Sequence, residues 1–263
     1  MLTIYFSGTG NTAFVAQNFS EKIGATCINI EDDADFAALF AAHDKIAVFY
    51  PVYGSRVPLI MRRFSNKYEA YFAGKKVVII VTQMLFSGDG ARVFTDLFPP
   101  GHFDVIYAEH LMMPNNVSNF VILPKTSDKR VKKHFKRAEN KINAICDNIN
   151  KKVVKLRGFS RASKLLGSVQ GKAWQGANSN IEPSKRSMEH KAKSSVRVAK
   201  HCTTCGLCVK ECPMNNLEIN ENSLLHKNNC TVCYRCVNLC PQRSVTVFFH
   251  NMPRWQYKGL RRK

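Results

Sequence analysis

Apolar and polar positions along the first 150 residues follow two periods, one typical of strands and one typical of helices. Short β-rich apolar runs predict strands, and longer segments whose apolar residues recur every three or four positions predict helices. The predicted strands are residues 3–6, 27–30, 45–50, 76–82 and 104–111. The predicted helices are residues 11–23, 34–42, 59–72, 91–98 and 127–150.

Each of the five predicted strands precedes a predicted helix. This alternation indicates a parallel sheet with helices on both faces. Right-handed crossovers between the strands then give an α/β, doubly wound domain of roughly 150 residues. We expect this domain to span residues 1–154. The periodicity alone does not determine the order of its strands.

Eight of the ten cysteines lie in an internal repeat, and both copies have the spacing C-x2-C-x2-C-x3-C-P. The first copy contains Cys202, Cys205, Cys208 and Cys212, and the second contains Cys230, Cys233, Cys236 and Cys240. Thiolates two residues apart fit a tight loop around one iron–sulfur cubane. Zinc also binds C-x2-C pairs, but two evenly spaced runs of four cysteines exceed any zinc-ribbon pattern. The repeat therefore predicts two [4Fe–4S] clusters.

This repeat closely resembles the bacterial two-cluster ferredoxins over about residues 196–248. The resemblance implies a small α+β domain that transfers single electrons at low potential, and we assign it residues 196–263 with a basic tail. In that family the fourth cysteine of each run ligates the other cluster. The first cluster would then use Cys202, Cys205, Cys208 and Cys240, and the second Cys230, Cys233, Cys236 and Cys212. Cys27 and Cys146 are expected to be buried apolar thiols.

The first strand leads into a loop that we call the phosphate loop, formed by Ser7, Gly8, Thr9, Gly10, Asn11 and Thr12. Its two glycines let the backbone curl around an anion, and the N-terminus of the following helix favours negative charge. A P-loop would need a lysine here, and a dinucleotide fingerprint would need glycine in place of Ala13. Hydroxyl donors without a cation suit one terminal phosphomonoester.

In position, hydroxyl pattern and fold class, the phosphate loop resembles that of flavodoxins, which bind FMN. The resemblance implies a flavodoxin-like, five-stranded sheet in the order 2-1-3-4-5, with FMN above strands one and three. The loops after strands three and four would then contact the flavin, through Pro51, Val52, Tyr53, Gly54, Phe86 and Gly88. We expect Tyr53 to stack on the flavin. The alternatives are core packing for the aromatic residues and turn geometry for the glycines.

Two departures from typical flavodoxins bear on the flavin potential. The usual acidic residues near the flavin are absent, since Arg56 is the nearest charge after strand three. The loop after strand four also lacks a tyrosine. A positive charge near the flavin would stabilise its reduced anionic form and raise its reduction potential.

A flavodoxin-like half joined to a two-cluster ferredoxin resembles the fusion proteins called EFR-type ferrodoxins. The sequence Met113-Pro114-Asn115 after the fifth strand also looks like that family. The resemblance implies electron transport in a low-potential, anaerobic metabolism. A flavin holds two electrons and a cubane one, so such a chain would connect two-electron and one-electron chemistry.

Residues 155–195 are rich in Lys, Arg, Ser, Gly and Asn, and we interpret them as a basic linker that either wraps the domains or forms a solvated tether. The chain has a formal charge of +20, and residues 121–200 hold 21 Lys/Arg against 5 Asp/Glu. This excess favours an acidic partner, nucleic acid or an anionic membrane surface. The densest patch is Lys129, Arg130, Lys132, Lys133, Lys136 and Arg137. We expect it to dock an acidic redox partner protein, and we expect no nucleic acid.

The preferred hypothesis is an electron carrier that passes single electrons between FMN, two [4Fe–4S] clusters and an external partner. The alternative is an FMN-dependent oxidoreductase that reduces a small substrate with electrons from its own clusters. None of His43, His102, His110 and Tyr107 has a recognisable catalytic spacing. The sequence shows no signal peptide and no apolar stretch of about 18 residues, so we expect a cytoplasmic protein without a transmembrane segment.

Overall fold

The main sheet of the protein has six parallel strands. The computed structural model describes residues 1–120, 122–123, 125–176, 181–221 and 223–259. The strands of this sheet are β1 (Leu2–Tyr5), β2 (Thr26–Asn29), β3 (Lys45–Pro51), β4 (Lys76–Gln83), β5 (Asp104–Met112) and β6 (Lys155–Leu156). Their order is β2-β1-β3-β4-β5-β6, so the predicted flavodoxin-like order is confirmed.

The sixth strand lies in the segment that was predicted to be linker. It is two residues long and pairs with Tyr107 and Ala108 of β5. Glu109 supplies the reason for this pairing, because its buried carboxylate lies 2.7 Å from Lys155 and 3.5 Å from Arg157. Burial opposes ionisation of Glu109, but hydrogen bonds from Lys155 and from the His110 amide keep its pKa below the ordinary value.

Eight α-helices occur among the described residues. The first four correspond to predicted helices, with two differences from the prediction over residues 1–150, and the other four lie beyond residue 150. The eight helices are α1 (Asn11–Ile23), α2 (Phe36–Ala41), α3 (Leu59–Lys67), α4 (Asp128–Asn150), α5 (Arg161–Gln175), α6 (Met188–Lys193), α7 (Leu207–Lys210) and α8 (Arg235–Leu239). The helix predicted at 59–72 ends at Lys67 and continues as a 3₁₀ helix, Glu69–Phe72. The helix predicted at 91–98 is the 3₁₀ helix Arg92–Leu97, in which the Thr95 hydroxyl donates to the Arg92 carbonyl.

Apolar residues cover both faces of the main sheet, because side chains alternate along a strand. Ile46 and Val48 of β3 pack in one cluster with Phe40 of α2 and with Phe72 of the 3₁₀ helix that follows α3, and both phenylalanines are fully buried. Phe49 points to the other face, and it packs with the apolar sides of α1 and α4. The helices thereby hold the strand ends, and the loops that follow them, in fixed positions.

The cysteine repeat forms a small module with its own apolar core. Strands β8 (Leu217–Asn220) and β9 (Ser223–His226) form an antiparallel hairpin, and β7 (Arg197–Val198) pairs with β10 (Val245–Thr246). The core of the module includes Val237, Val245 and Val247. Helices α7 and α8 each begin within one of the two cysteine runs. The module is therefore α+β, as predicted.

The described residues of the predicted linker pack against the flavodoxin-like half. Arg62 of α3 is fully buried, and its Nη2 donates to both carboxylate oxygens of Glu189 of α6, at 2.9 and 3.0 Å. Gly167 of α5 packs so closely on Asp89 that a Cβ at this glycine would collide with the carboxylate. The described part of the segment therefore packs against the domain and is not a solvated tether.

Candidate functional site

A cavity of about 590 Å³ opens at the carboxyl ends of β1, β3, β4 and β5. Its volume is typical of a small-molecule site, and its position is the one at which open α/β sheets bind ligands. The loops after those strands form one side. The other side comes from α5 and from the cysteine module, through Gln170, Trp174, Val232, Tyr234, Phe248 and Phe249.

Ten of the twelve residues predicted to contact the flavin line this cavity. They are Ser7, Gly8, Thr9, Asn11, Thr12, Pro51, Val52, Tyr53, Gly54 and Phe86. The structure does not bring Gly10 and Gly88 into the lining. Gly10 precedes α1 in the left-handed conformation, with φ 95°, and Gly88 packs against Gly167 of α5.

The phosphate loop presents unsatisfied donors at the start of α1. Gly10 offers no side chain to cap the helix, so the N–H groups of the first turn stay available to a ligand. The Gly10 amide donates to Ser7 Oγ at 3.2 Å, which holds the loop in a tight turn. Thr12 Oγ1 lies 2.7 Å from Thr82 Oγ1 of β4, so the loop is also fixed to the sheet.

Residues distant in sequence also support the phosphate loop. The Asn11 amide donates to the Pro114 carbonyl at 2.9 Å, and the Tyr257 hydroxyl donates to Asn11 Oδ1 at 2.6 Å. The Asn116 amide donates to Thr9 Oγ1 at 3.1 Å. Sequence reasoning missed the roles of Asn116 and Tyr257, since neither belongs to a recognisable motif.

Aromatic residues provide the walls of the cavity. Tyr53 lies beside the phosphate loop, and Trp174 of α5 stands against Gly54, where a Cβ would collide with the indole. The Tyr53 hydroxyl and the Trp174 indole N–H are buried, and neither has a hydrogen-bond partner among the described residues. Buried polar atoms are normally paired, so a bound molecule with polar edges is expected beside them.

The residues present fit FMN. A phosphate group matches the uncapped helix start and the hydroxyls of the phosphate loop. A planar ring with polar atoms matches the aromatic walls and the two unpaired donors. Phe86 is 58% exposed, which places it at the mouth of the cavity rather than in the core.

Arg56 does not line the cavity. Its guanidinium donates to the Ser55 carbonyl at 3.2 Å and lies 3.8 Å from the carboxylate of Asp89. Asp89 also pairs with Arg92 at 2.7 Å, so its carboxylate offsets the charge of Arg56 only in part, and the expected effect of Arg56 on the flavin potential is reduced rather than removed.

The histidines and the tyrosine considered as catalysts have structural partners. His43 and His102 bond the backbone carbonyls of Leu39 and Glu69, and Tyr107 accepts a hydrogen bond from Asn148. A different arrangement surrounds His110, which is buried behind the cavity wall, 3.3 Å from Ser87 Oγ. Burial, reinforced by the nearby Arg157, lowers the pKa of His110 to about 4, so its ring is neutral at pH 7.

The eight repeat cysteines separate into two groups of four. Cys202, Cys205, Cys208 and Cys240 line one small cavity, and Cys212, Cys230, Cys233 and Cys236 line another. Each group contains three cysteines of one run and the fourth of the other. Within the described ranges, no three His, Cys, Asp or Glu side chains converge on a position for a single metal ion. Thiolates placed around a volume, rather than around a point, fit a cubane.

Burial affects the thiols of both groups. It raises the pKa of Cys233 to about 11, although Arg235 opposes the effect, and it raises the pKa of Cys208 to about 11, with Cys240 and Cys202 adding to it. Bound iron would supply the positive charge that such thiolates need. The other two cysteines are Cys146, which is buried in the core, and Cys27, which is half-buried.

The second cluster loop, residues 230–236, lies directly against the phosphate loop. A Cβ at Gly8 would be 2.6 Å from the Cys233 carbonyl oxygen and 3.1 Å from the Tyr53 hydroxyl. Only glycine permits this approach. Val232 and Tyr234 of the same loop line the flavin cavity. No signal in the sequence indicated which of the two cysteine runs would face the cavity.

Comparisons with known proteins agree with this architecture. Residues 2–120 match the family model of the flavodoxin domain, and residues 194–241 match that of the 4Fe-4S dicluster domain. The chain is therefore a fusion of a flavodoxin domain and a 4Fe-4S dicluster domain, and the predicted flavodoxin–ferredoxin combination is confirmed. FMN and iron–sulfur clusters are its cofactors, and its activity is redox chemistry with electron transfer.

Several solved structures are similar to the first half. A flavodoxin from the domain Archaea is 15% identical with a TM-score of 0.34, and flavodoxin 2 from Bacillus cereus is 16% identical with a TM-score of 0.38. General stress protein 14 from Treponema denticola, solved in complex with FMN, is 14% identical with a TM-score of 0.41. Each alignment covers 56% of this chain and 97% of the other. No curated protein matches the chain.

None of the helices in the described ranges combines the length and apolar character that crossing a membrane requires.

Proposed function

We propose that this protein passes single electrons between FMN in the cavity, two [4Fe–4S] clusters and an external redox partner. The observation that carries the proposal is the contact between the phosphate loop and the second cluster loop, at Gly8 and Cys233. A flavin exchanges one or two electrons and each cluster exchanges one. The chain contributes fixed positions for all three groups.

The ligands in this proposal are the residues brought together by the fold. Ser7, Gly8, Thr9, Asn11 and Thr12 surround the phosphate, with Gly10 shaping the turn. Pro51, Val52, Tyr53, Gly54 and Phe86 surround the ring. The two groups of four cysteines hold the first and second clusters. The domain limits in this proposal are 1–154, 155–195 and 196–263.

The surroundings of the two cysteine groups indicate which cluster lies next to the flavin and which lies near the protein surface. The second group lies beside the flavin cavity, where Cys233 is 6% exposed. The first group contains Cys205, the one exposed cysteine among the ten. We therefore place the second cluster next to the flavin and the first cluster at the exit to the partner.

The charges near Cys205 favour an acidic partner. Exposed basic residues stand around the first cluster: Lys200, His201, Lys210 and Arg243. His201 Nε2 lies 3.2 Å from the Gln242 carbonyl, which brings the two ends of this surface together. The six basic residues of the patch on α4 are also exposed. Complementary charge accelerates encounter between redox proteins.

The composition of the anaerobically purified protein tests the cofactors. We expect about eight iron, eight sulfide and one FMN per chain, as two cubanes and one flavin require. Photoreduction of the flavin should then produce the electron paramagnetic resonance signals of reduced clusters. Protein with eight iron atoms but no flavin would overturn the proposal.

A cysteine variant tests the route. Cys205→Ala should retain about four iron atoms, and its flavin should still reduce the remaining cluster. Reduction of an external acceptor protein should be slow, because the exit cluster is missing. The proposed route would be wrong if this variant loses transfer from the flavin to the remaining cluster.

A further inference from the structure

Arg235 reaches from the second cluster loop to the phosphate loop. Its Nη2 donates to the Ser7 carbonyl at 2.8 Å, and its Nε donates to the Gly8 carbonyl at 3.1 Å. The remaining donors hold both carboxylate oxygens of Glu31 at 2.8 Å and the Glu211 carbonyl at 3.1 Å. All five N–H donors of the guanidinium are therefore used, and its orientation is fixed.

These contacts orient two peptide groups of the phosphate loop. In a trans peptide the C=O and N–H bonds point in opposite directions, and the described residues include no cis peptide. Because Arg235 holds the Ser7 and Gly8 carbonyls, the N–H groups of Gly8 and Thr9 point away from the guanidinium. Both residues line the cavity, and neither N–H has an acceptor among the described residues.

We propose that Arg235 is a positioning residue for the phosphate group of FMN, and that it couples FMN binding to the second cluster loop. The inference rests on the proposed function, because it assumes FMN in this cavity. Arg235 acts through the backbone, turning the Gly8 and Thr9 amides toward the phosphate. Glu31 balances its charge, so orientation of the loop carries the effect.

The first cysteine run supplies a matched substitution. Arg235 stands between Cys233 and Cys236, and Leu207 stands at the equivalent place between Cys205 and Cys208. Leucine is therefore compatible with a cluster loop of this spacing. Arg235→Leu removes the contacts to the phosphate loop and leaves the cysteine ligands in place. Arg197→Leu removes an exposed charge of the cysteine module outside both cysteine runs and serves as the control.

The test measures the dissociation constants of FMN and of riboflavin, which lacks the phosphate, by flavin fluorescence under anaerobic conditions. For Arg235→Leu we expect FMN affinity to fall about tenfold or more, since hydrogen bonds to a charged group are lost. Riboflavin affinity should stay within about twofold, and iron should remain near eight per chain. Arg197→Leu should leave both flavin affinities unchanged.

Three results would contradict the inference. Equal losses for FMN and riboflavin would mean that Arg235 only holds the two domains together. Unchanged FMN affinity in Arg235→Leu would remove its role altogether. If Arg235→Leu loses iron, Arg235→Lys provides the second variant, because lysine cannot reproduce the set of hydrogen bonds that the planar guanidinium makes. Full FMN affinity in Arg235→Lys would then contradict the proposal. Failure of the unmodified protein to bind FMN would instead overturn the proposed function.

Discussion

The two cysteine runs have identical spacing and different surroundings. Residues 202–208 form a loop that carries the exposed Cys205, whereas residues 230–236 form a loop whose Cys233 is buried against Gly8. The spacing determines how thiolates surround a cubane. The residues between the cysteines determine what each loop contacts, and hence which role its cluster plays.

The backbone of the two loops is alike at two positions where the side chains differ. Thr204 and Gly206 have φ of 47° and 76°, and the equivalent Val232 and Tyr234 have φ of 59° and 62°. A β-branched or bulky residue is rare in this conformation and costs of order 1–3 kcal/mol. The first loop bears this cost at Thr204 only, whereas the second loop bears it at both Val232 and Tyr234. Both side chains line the flavin cavity, and the Tyr234 hydroxyl donates to the Val247 carbonyl at 3.1 Å. Burial offsets the backbone cost in the second loop.

The strongest way to break this comparison is to remove one ligand from each group. Cys205→Ala and Cys233→Ala should each lose about four iron atoms. Only Cys233→Ala should also weaken FMN binding, by about tenfold, because its loop forms part of the flavin site. Iron analysis and FMN titration measure both quantities. Equal FMN affinities in the two variants would show that the loops do not differ in this way.

Tyr234 and Gly206 occupy equivalent positions in the two loops, and substituting each by alanine should lower the free energy of unfolding by different amounts. Tyr234→Ala removes a buried aromatic side chain and should lower the free energy of unfolding by about 3–5 kcal/mol. Gly206→Ala adds a methyl group at positive φ, where its nearest neighbour would be Ile219 Cδ1 at 3.9 Å, an ordinary contact, and should cost about 1–2 kcal/mol. Anaerobic urea unfolding provides the measurement. A larger loss for Gly206→Ala would contradict the proposed packing role of Tyr234.

The stability of the flavodoxin-like half should depend on pH through His110, which is buried behind the wall of the flavin cavity. His110 has a pKa of about 4 in the folded protein and 6.5 in the unfolded chain. Between these values the unfolded state binds more protons, so stability is full above pH 6.5 and falls by about 3 kcal/mol as the pH drops to 4. FMN release and unfolding should both follow this window. His110→Gln should flatten the dependence, and an unchanged slope would exclude His110 as its source.

The smallest expected effect concerns the surface around the first cluster, where we expect the redox partner to dock. Lys210→Gln combined with Arg243→Gln should slow electron transfer to a flavodoxin of negative net charge by several-fold at low salt, since both charges stand near the exposed cluster. The matched double variant Lys132→Gln and Lys136→Gln removes two charges from the patch on α4. Stopped-flow rates over a range of salt concentrations distinguish the two surfaces. A larger effect of the α4 variant would move the docking site to that helix.

Local patterns made much of this protein readable from its sequence. The five main strands, each within one residue of its predicted ends, follow from apolar periodicity. Three ligands of each iron–sulfur site and the phosphate loop follow from spacing within short segments. The fourth ligand of each site comes from the other cysteine run, as the resemblance to two-cluster ferredoxins implied. The sequence also placed Tyr53 beside the phosphate loop, because both follow neighbouring strands of a parallel sheet.

The tertiary structure decided which distant segments complete the site. Arg235 lies more than two hundred positions from Ser7 in the chain, and Trp174 lies more than one hundred positions from Gly54. No periodicity or motif links such residues, since their contact depends on how α5 and the cysteine module pack on the strand ends. The same packing buries Gly88 under α5, although its loop position suggested the flavin. Spacing within one run determines three ligands of each cluster, whereas long-range packing brings in the fourth and determines which cluster meets the flavin.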